Sequence, residues 1–257
     1  MYKLVALDLD GTLFNNESKV SVRNIDAIRN CHHHNIDTVV ATGRPPRFTF
    51  GHIPEILARD YTVCYNGAQI YHNHDLIFEM CMSHDLVQSI IAYVTSQSSE
   101  IKMALESRDV IYSNFDMKRV WPDIESRDLK DLADYDHICK VIILNKATFD
   151  DGSFNETYQD LCNVIFTDGG KLIEIVDKTV SKLAAIEWIA QRESIKIEEI
   201  IAFGDDLNDI EIIKHVGLGV AMSNGHDKVK EVSNHVTASN DCDGVAIVLE
   251  KIIEDRS

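Results

Sequence analysis

Short unbroken apolar runs and helical apolar stripes take turns along most of this chain. Leu4–Leu7 is apolar throughout and stops at Asp8, Asp10 and Gly11, the pattern of a buried strand ending in a turn. Residues 22–33 then carry apolar side chains at helical spacing, with Ser21 placed to cap them. Asp37–Ala41 is a β-branched run ending in Thr42-Gly43-Arg44, so the first forty residues read as one βαβ unit. Pro45 and Pro46 interrupt the chain, and a short helix is expected before a strand at 61–65 that ends in Asn66-Gly67.

From about residue 83 the rhythm changes. A helix at 86–94 is followed by two short apolar runs, 101–105 and 110–112, around the turn Glu106-Ser107-Arg108-Asp109. A strand at 141–144, a helix at 156–164 and a hairpin of 165–167 with 172–176 around Asp168-Gly169-Gly170 complete the middle. Hairpins mixed with helices indicate an α+β module. Alternation returns with a helix at 182–191, a strand at 200–203, a helix at 209–214, a strand at 218–221, short elements at 228–232 and 235–236, and a closing helix at 245–253. The expected architecture is an α/β parallel-sheet core of Rossmann-like type, residues 1–82 plus 179–257, with an α+β domain inserted at 83–178.

Composition narrows the partners. Lys plus Arg number 25 against 42 Asp plus Glu, a formal charge of −17, which argues against broad binding to nucleic acid or an anionic membrane. A small anionic ligand stays open, because a metal ion and a few cations outweigh the global field locally. No apolar run approaches the roughly 18 residues of a membrane span, and the N-terminus lacks a signal-peptide layout. The six cysteines are scattered without a CxxC pair, which reads as reduced thiols in the cytoplasm.

Three expected strands end in polar residues: Asp8 and Asp10, then Thr42-Gly43, then Gly204-Asp205-Asp206-Leu207-Asn208-Asp209. In a parallel sheet these ends share one edge, where ligands bind. Carboxylates with a carboxamide make a hard oxygen site that suits Mg²⁺ better than zinc. Thr42 and Gly43 offer a hydroxyl and an unhindered N–H to phosphate oxygens. Lys182 stands in the first turn of a helix, where a cation opposes the helix dipole unless an anion lies near. Each segment also has a plainer reading: solvated loop acids, an Asp N-cap, a turn, a solvated lysine. Their joint occurrence after three separate strands weakens those readings. His32-His33-His34 is an exposed helix end, since adjacent helical residues point different ways. Arg44 and Arg47 follow the Thr42 turn and face either the cleft or solvent.

The segments DLDGTL, VVATGR, SK and GDDLND, in this order, resemble the four motifs of the haloacid dehalogenase-like (HAD) phosphohydrolases. Tyr65-Asn66-Gly67-Ala68, Gly219-Val220-Ala221-Met222 and Asp243-Gly244-Val245-Ala246 resemble the subgroup with a large α/β cap, type IIB, the Cof-like phosphatases. The resemblance implies a Mg²⁺-dependent phosphatase of small phosphorylated metabolites such as sugar phosphates, acting as a monomer or weak homodimer. It implies Asp8 as nucleophile and Asp10 as proton donor and acceptor. It implies a metal held by Asp8, Asp10 through its carbonyl, and Asp205, with Asp209 orienting the metal shell. Phosphate would be held by Leu9, Thr42, Gly43, Lys182 and Asn208. A phosphomutase of the phosphomannomutase type, or a non-catalytic binder of phosphometabolites, are the alternatives. Two positions depart from the family pattern: Leu183 replaces a glycine, and Ser223-Asn224-Gly225 replaces Gly-Asn-Ala.

Overall fold

The four apolar residues of β1 (Leu4–Leu7) are at most 1% exposed, and alternate ones enter two different cores. Val5 and Leu7 pack into one, Leu4 and Ala6 into the other, as a strand covered on both faces requires. The computed structural model describes residues 1–133, 135–144, 149–168 and 171–256. These form two compact units, Met1–Phe78 with Ser181–Ser257, and Glu79–Val180.

In chain order the first unit holds β1, α1 (Val22–His33), β2 (Asp37–Ala41), α2 (Glu55–Ala58), β3 (Tyr61–Cys64), β4 (Gln69–His72) and β5 (Asp75–Glu79). The second holds α3 (His84–Gln97), β6 (Lys102–Ser107), β7 (Val110–Ser113), β8 (Arg127–Asp128), β9 (Ile138–Leu144), α4 (Asp151–Tyr158), β10 (Cys162–Thr167) and β11 (Leu172–Asp177). The chain returns to the first with α5 (Lys182–Glu193), β12 (Ile200–Gly204), α6 (Ile210–His215), β13 (Leu218–Met222), α7 (Asp227–Val232), β14 (His235–Thr237) and α8 (Gly244–Glu254). No helix among the described residues is long and apolar enough to cross a membrane.

The sheet of the first unit runs β14-β13-β12-β1-β2-β3-β4-β5, and its first six strands are parallel. Side chains from α1 and α8 fill the core on one face, and those from α5, α6 and α7 the core on the other. The parallel core expected from the sequence is therefore extended at one edge, where β4 pairs antiparallel with β3. Asn73 and His74 join β4 to β5, both at positive φ (51° and 69°), the turn that matches strand twist. Without a glycine there the hairpin carries little signal.

The second unit is a sheet in the order β10-β11-β9-β6-β7-β8, antiparallel where β10, β11, β9, β6 and β7 meet. Helices α3 and α4 cover one face through Val87, Ile90, Val94, Phe154 and Tyr158. The helix expected at 156–164 is corrected here. Asp150 caps α4 early by accepting the Ser153 N–H (3.1 Å), and Cys162–Thr167 pairs along its whole length with β11. Partner-strand pairing outweighs the local helical spacing. Gly169 and Gly170 of the expected hairpin turn lie outside the described residues.

His32 departs from the exposed reading of its helix end. Its ring contacts Thr38 Oγ1 at 3.0 Å and the Asp60 carboxylate at 2.9 Å, whereas His34 bonds its own helix at Asn30 O. The hydrogen bond to Asp60 raises the His32 pKa above its ordinary value. A raised folded-state pKa gives a contribution complete below the unfolded value, about 6.5, and lost as pH rises through the folded one. His32→Gln should therefore flatten the fall in stability as pH rises above about 6.5, by under about 1 kcal/mol for a partly exposed pair. Urea unfolding at several pH values reads this, and an unchanged slope contradicts it.

Candidate active site

Register brings the polar strand ends together. Leu7 lies between Val40 of β2 and Phe203 of β12, so Asp8, Thr42 and Asp205 all follow closely on neighbouring strand ends. The chain runs from β1 to β2 and β3 on one side, then returns to β12 on the other. The order reverses at β1, where open α/β sheets form a crevice at the carboxyl edge.

Lys182 is the first residue of α5, whose N-terminus Ser181 caps by accepting the Ala184 N–H (3.1 Å). Its side chain is 1% exposed, so the solvated reading fails. The ammonium donates to Asp8 Oδ1 at 2.5 Å and to Asp209 Oδ1 at 2.6 Å. Burial alone would lower the lysine pKa, but Asp209 and Asp8 outweigh it and hold the group protonated.

Asp209 uses its other oxygen on the loop. Oδ2 accepts the N–H groups of Asp205 (3.0 Å) and Asp206 (3.2 Å). Gly204 permits this approach, since a Cβ there would lie 2.4 Å from Asp209 Cγ. Asp206 accepts the Leu207 N–H (2.8 Å) and helps shape the turn.

Asp205 accepts the Thr12 hydroxyl at 2.7 Å and is pushed up to about 7, first by burial and then by the Asp209 charge. Burial likewise holds Asp8 well above the usual carboxylate range, against the pull of Lys182. Oxygens of Asp8, Asp205 and Asp209 lie within 4.8 Å of one another. Three carboxylates thus share one buried lysine, and the surplus negative charge appears as raised proton affinity. An all-oxygen set with uncompensated charge fits a hard divalent cation.

The residues expected to hold phosphate form a second group. Thr42 is buried; its Oγ1 accepts the Arg44 N–H (3.1 Å) and its carbonyl accepts the Asn66 N–H (2.9 Å). Asn208 Nδ2 donates to Asn66 Oδ1 at 2.9 Å, and a Cβ on Gly43 would come within 3.1 Å of Asn66 Nδ2. Asn66 therefore connects the Thr42-Gly43 turn to the loop after β12, from a left-handed φ of 56° that asparagine tolerates. Leu9 buries its side chain in the core, and its carbonyl accepts the Phe14 N–H (2.8 Å).

Asp10 is half exposed and held by Arg44, whose Nε and Nη2 reach its two oxygens at 2.6 and 2.5 Å. Arg44 also donates to Phe48 O (3.1 Å) and lies over the Phe14 ring (5.0 Å). Arg47 lies over the ring of Phe48 at 4.9 Å. Of the two arginines, the structure thus puts Arg44 on a site carboxylate.

Thr12, Asn66, Asn224 and His226 shape the site without having been singled out as site residues in the sequence. Asn224 Nδ2 donates to Gly11 O (2.7 Å), and the His226 N–H donates to Asp205 O (2.7 Å). Their signal was faint: Thr12 sits inside DLDGTL, Asn66 inside YNGA, and Asn224 and His226 inside and just after the Ser-Asn-Gly departure.

A model of the haloacid dehalogenase-like hydrolases matches residues 5–249. The Bacillus subtilis protein 5-amino-6-(5-phospho-D-ribitylamino)uracil phosphatase YcsE is 29% identical over 95% of this chain and 93% of its own. A crystal structure from Thermotoga maritima superposes with a TM-score of 0.81 at 29% identity, covering 98% of this chain and 97% of that one. The structure of BT4131, described as a subclass IIB sugar phosphatase, gives a TM-score of 0.82 at 21% identity over 97% and 98%.

Proposed function

Because this chain belongs to the haloacid dehalogenase-like hydrolases, we propose that it is a Mg²⁺-dependent phosphatase of small phosphorylated metabolites, sugar phosphates foremost, acting through an aspartyl-phosphate in the cytoplasm. The observation that carries this reading is the buried Asp8–Lys182–Asp209 arrangement with Asp205 beside it, at the carboxyl edge of the sheet.

Asp8 attacks phosphorus, and the ester bond to the leaving oxygen breaks as the Asp8 acyl-phosphate forms. Asp10 gives its proton to that oxygen and then takes one from the water that releases phosphate. In this scheme Arg44 holds Asp10 between these events. Lys182, Thr42, Asn208 and the N–H groups of Leu9 and Gly43 neutralise and orient the phosphoryl oxygens, which is most of what phosphoryl transfer requires. Asp8 and Asp205, with the Asp10 carbonyl, would hold Mg²⁺, and Asp209 fixes the loop that carries Asp205. When bound, the ion offsets charge on the nucleophile and the phosphoryl group and lets Asp8 stay ionised near neutrality. The Glu79–Val180 unit is assigned substrate selection. YcsE and BT4131 are named for different substrates, which fits a shared core with a variable second unit.

The test is a phosphomonoester panel with and without Mg²⁺. Phosphate release from sugar phosphates, lost on chelation and restored by Mg²⁺, is the expected result. No release from any member with Mg²⁺ or Mn²⁺ overturns the assignment. Isomerisation of a sugar phosphate, stimulated by a sugar bisphosphate with little phosphate released, replaces it with a mutase.

A further inference from the structure

Two of the six cysteines meet in the second unit, far from the carboxylate site in sequence. Cys81 Sγ lies 3.7 Å from Cys139 Sγ, and neither is in a disulfide. His137 Nδ1 lies 3.3 Å from Glu79 Oε2, and Cys139 Sγ lies 4.0 Å from Glu79 Oε1. Ligand atoms of Glu79, Cys81 and His137 all fall within 4.8 Å of one another.

Two of these spacings match a metal shell. Four ligands placed tetrahedrally around zinc, with Zn–S about 2.3 Å and Zn–N or Zn–O about 2.05 Å, put two sulfurs about 3.8 Å apart and a nitrogen and oxygen about 3.3 Å apart. A disulfide would need the sulfurs at about 2.05 Å.

The backbone is bent to present these groups. β9 pairs Ile138 with Ser107 and Lys140 with Glu106, which leaves Cys139 as the extra residue of a β-bulge. Bulges re-aim a side chain from the regular alternation of a strand. His137, just before the bulge, holds φ at 64°, a conformation uncommon for a residue other than glycine. Met82 N–H donates to Ile138 O at 3.0 Å, so the segment with Cys81 is already fastened beside the one with Cys139. Cys139 is buried, while the His137 side chain is 44% exposed, which leaves a side by which an ion enters.

We infer that Cys81, Cys139, His137 and Glu79 form a zinc site that ties the chain's entry into the second unit to the start of its long strand β9. Two soft thiolates, an imidazole and one carboxylate suit Zn²⁺ and not Mg²⁺, so the site differs in kind from the all-oxygen cluster. Thiols bind zinc as thiolates, so zinc uptake must release protons and weaken as pH falls. The role is structural: four protein ligands leave no open position.

The test uses the full-length reduced protein with saturating Mg²⁺, titrated with Co²⁺ as a spectroscopic substitute for Zn²⁺. One equivalent should give thiolate-to-cobalt charge-transfer absorption, displaced by Zn²⁺, and bound Zn²⁺ should raise Tm. Cys81→Ser should abolish the band, and His137→Gln, at a half-exposed position, should do so or alter it if the serine variant does not fold. Zn²⁺ should also shield Cys81 and Cys139 from mild oxidation. The inference is overturned by absence of the band in the wild-type protein, by its persistence unchanged in both variants, or by a Cys81–Cys139 disulfide that forms equally fast with Zn²⁺ present. None of these readouts depends on hydrolysis, so this inference and the proposed phosphatase activity stand or fall separately.

Discussion

Asp8→Asn should lower kcat for phosphoester hydrolysis by about 10⁴-fold or more and leave the fold intact. An amide of the same shape cannot form the acyl-phosphate, so a covalent route is closed, not slowed. Stability should behave differently from activity. Lys182 keeps Asp209 at 2.6 Å when Asp8 loses its charge, so no buried cation is stranded. In the metal-free protein the ionised Asp8 opposes folding: burial raises its folded-state pKa, so stability is complete below the unfolded pKa, about 3.9, and declines as pH rises through the folded one. At neutral pH the metal-free variant should therefore match or exceed the wild-type Tm. Turnover reduced less than tenfold would remove Asp8 as nucleophile. A large drop in Tm would show instead that the variant reports damage to the fold.

Lys182→Met should fail in the opposite way, losing stability and activity together. The ammonium is the counter-charge for both Asp8 and Asp209 and is 1% exposed. Removing one partner of a buried ion pair costs about 3–5 kcal/mol, because the other charge is left in the interior without compensation. Here two carboxylates are left. Raising Mg²⁺ should recover part of the lost stability and none of the phosphoryl positioning. Denaturant unfolding at neutral pH measures the first, and assay at saturating Mg²⁺ the second. A stability loss below about 1 kcal/mol would mean that the two carboxylates are protonated or hydrated once the lysine is gone.

The two variants separate the roles that one buried cluster combines. In the proposed scheme Asp8 carries chemistry at some expense to the metal-free fold, and Lys182 carries both. A charged group buried at a functional site is commonly arranged this way, with pKa values displaced by its neighbours.

How far the sequence reached differs by residue. β1 was legible from its four-residue apolar run and its acids from the recurrence of polar ends after three separate strands, and register did the rest. Lys182 was legible only through its SK motif: by spacing alone a lysine in a first helical turn looks solvated, and its burial shows only in its ion pairs with Asp8 and Asp209. Asn66 was out of reach as a connector, since its bond to Asn208 spans 142 residues and depends on a left-handed backbone. The β4–β5 extension was hidden because its turn is Asn73-His74 and not a glycine pair. The cysteine pairing was hidden more thoroughly. Cys81 and Cys139 are 58 residues apart, and the bulge that turns Cys139 toward Cys81 is a property of strand register. The helix expected across 156–164 failed because helical spacing within a short window says nothing about a partner strand.

The covalent step at Asp8 is the centre of the account, and trapping it is the most direct check. The enzyme would be mixed with a sugar phosphate and Mg²⁺, acid-quenched during turnover, reduced with borohydride and digested. Reduction of an acyl-phosphate turns aspartate into homoserine, so the account predicts homoserine at residue 8, absent without substrate. Steady turnover with residue 8 always recovered as aspartate, or homoserine at another position, would contradict it.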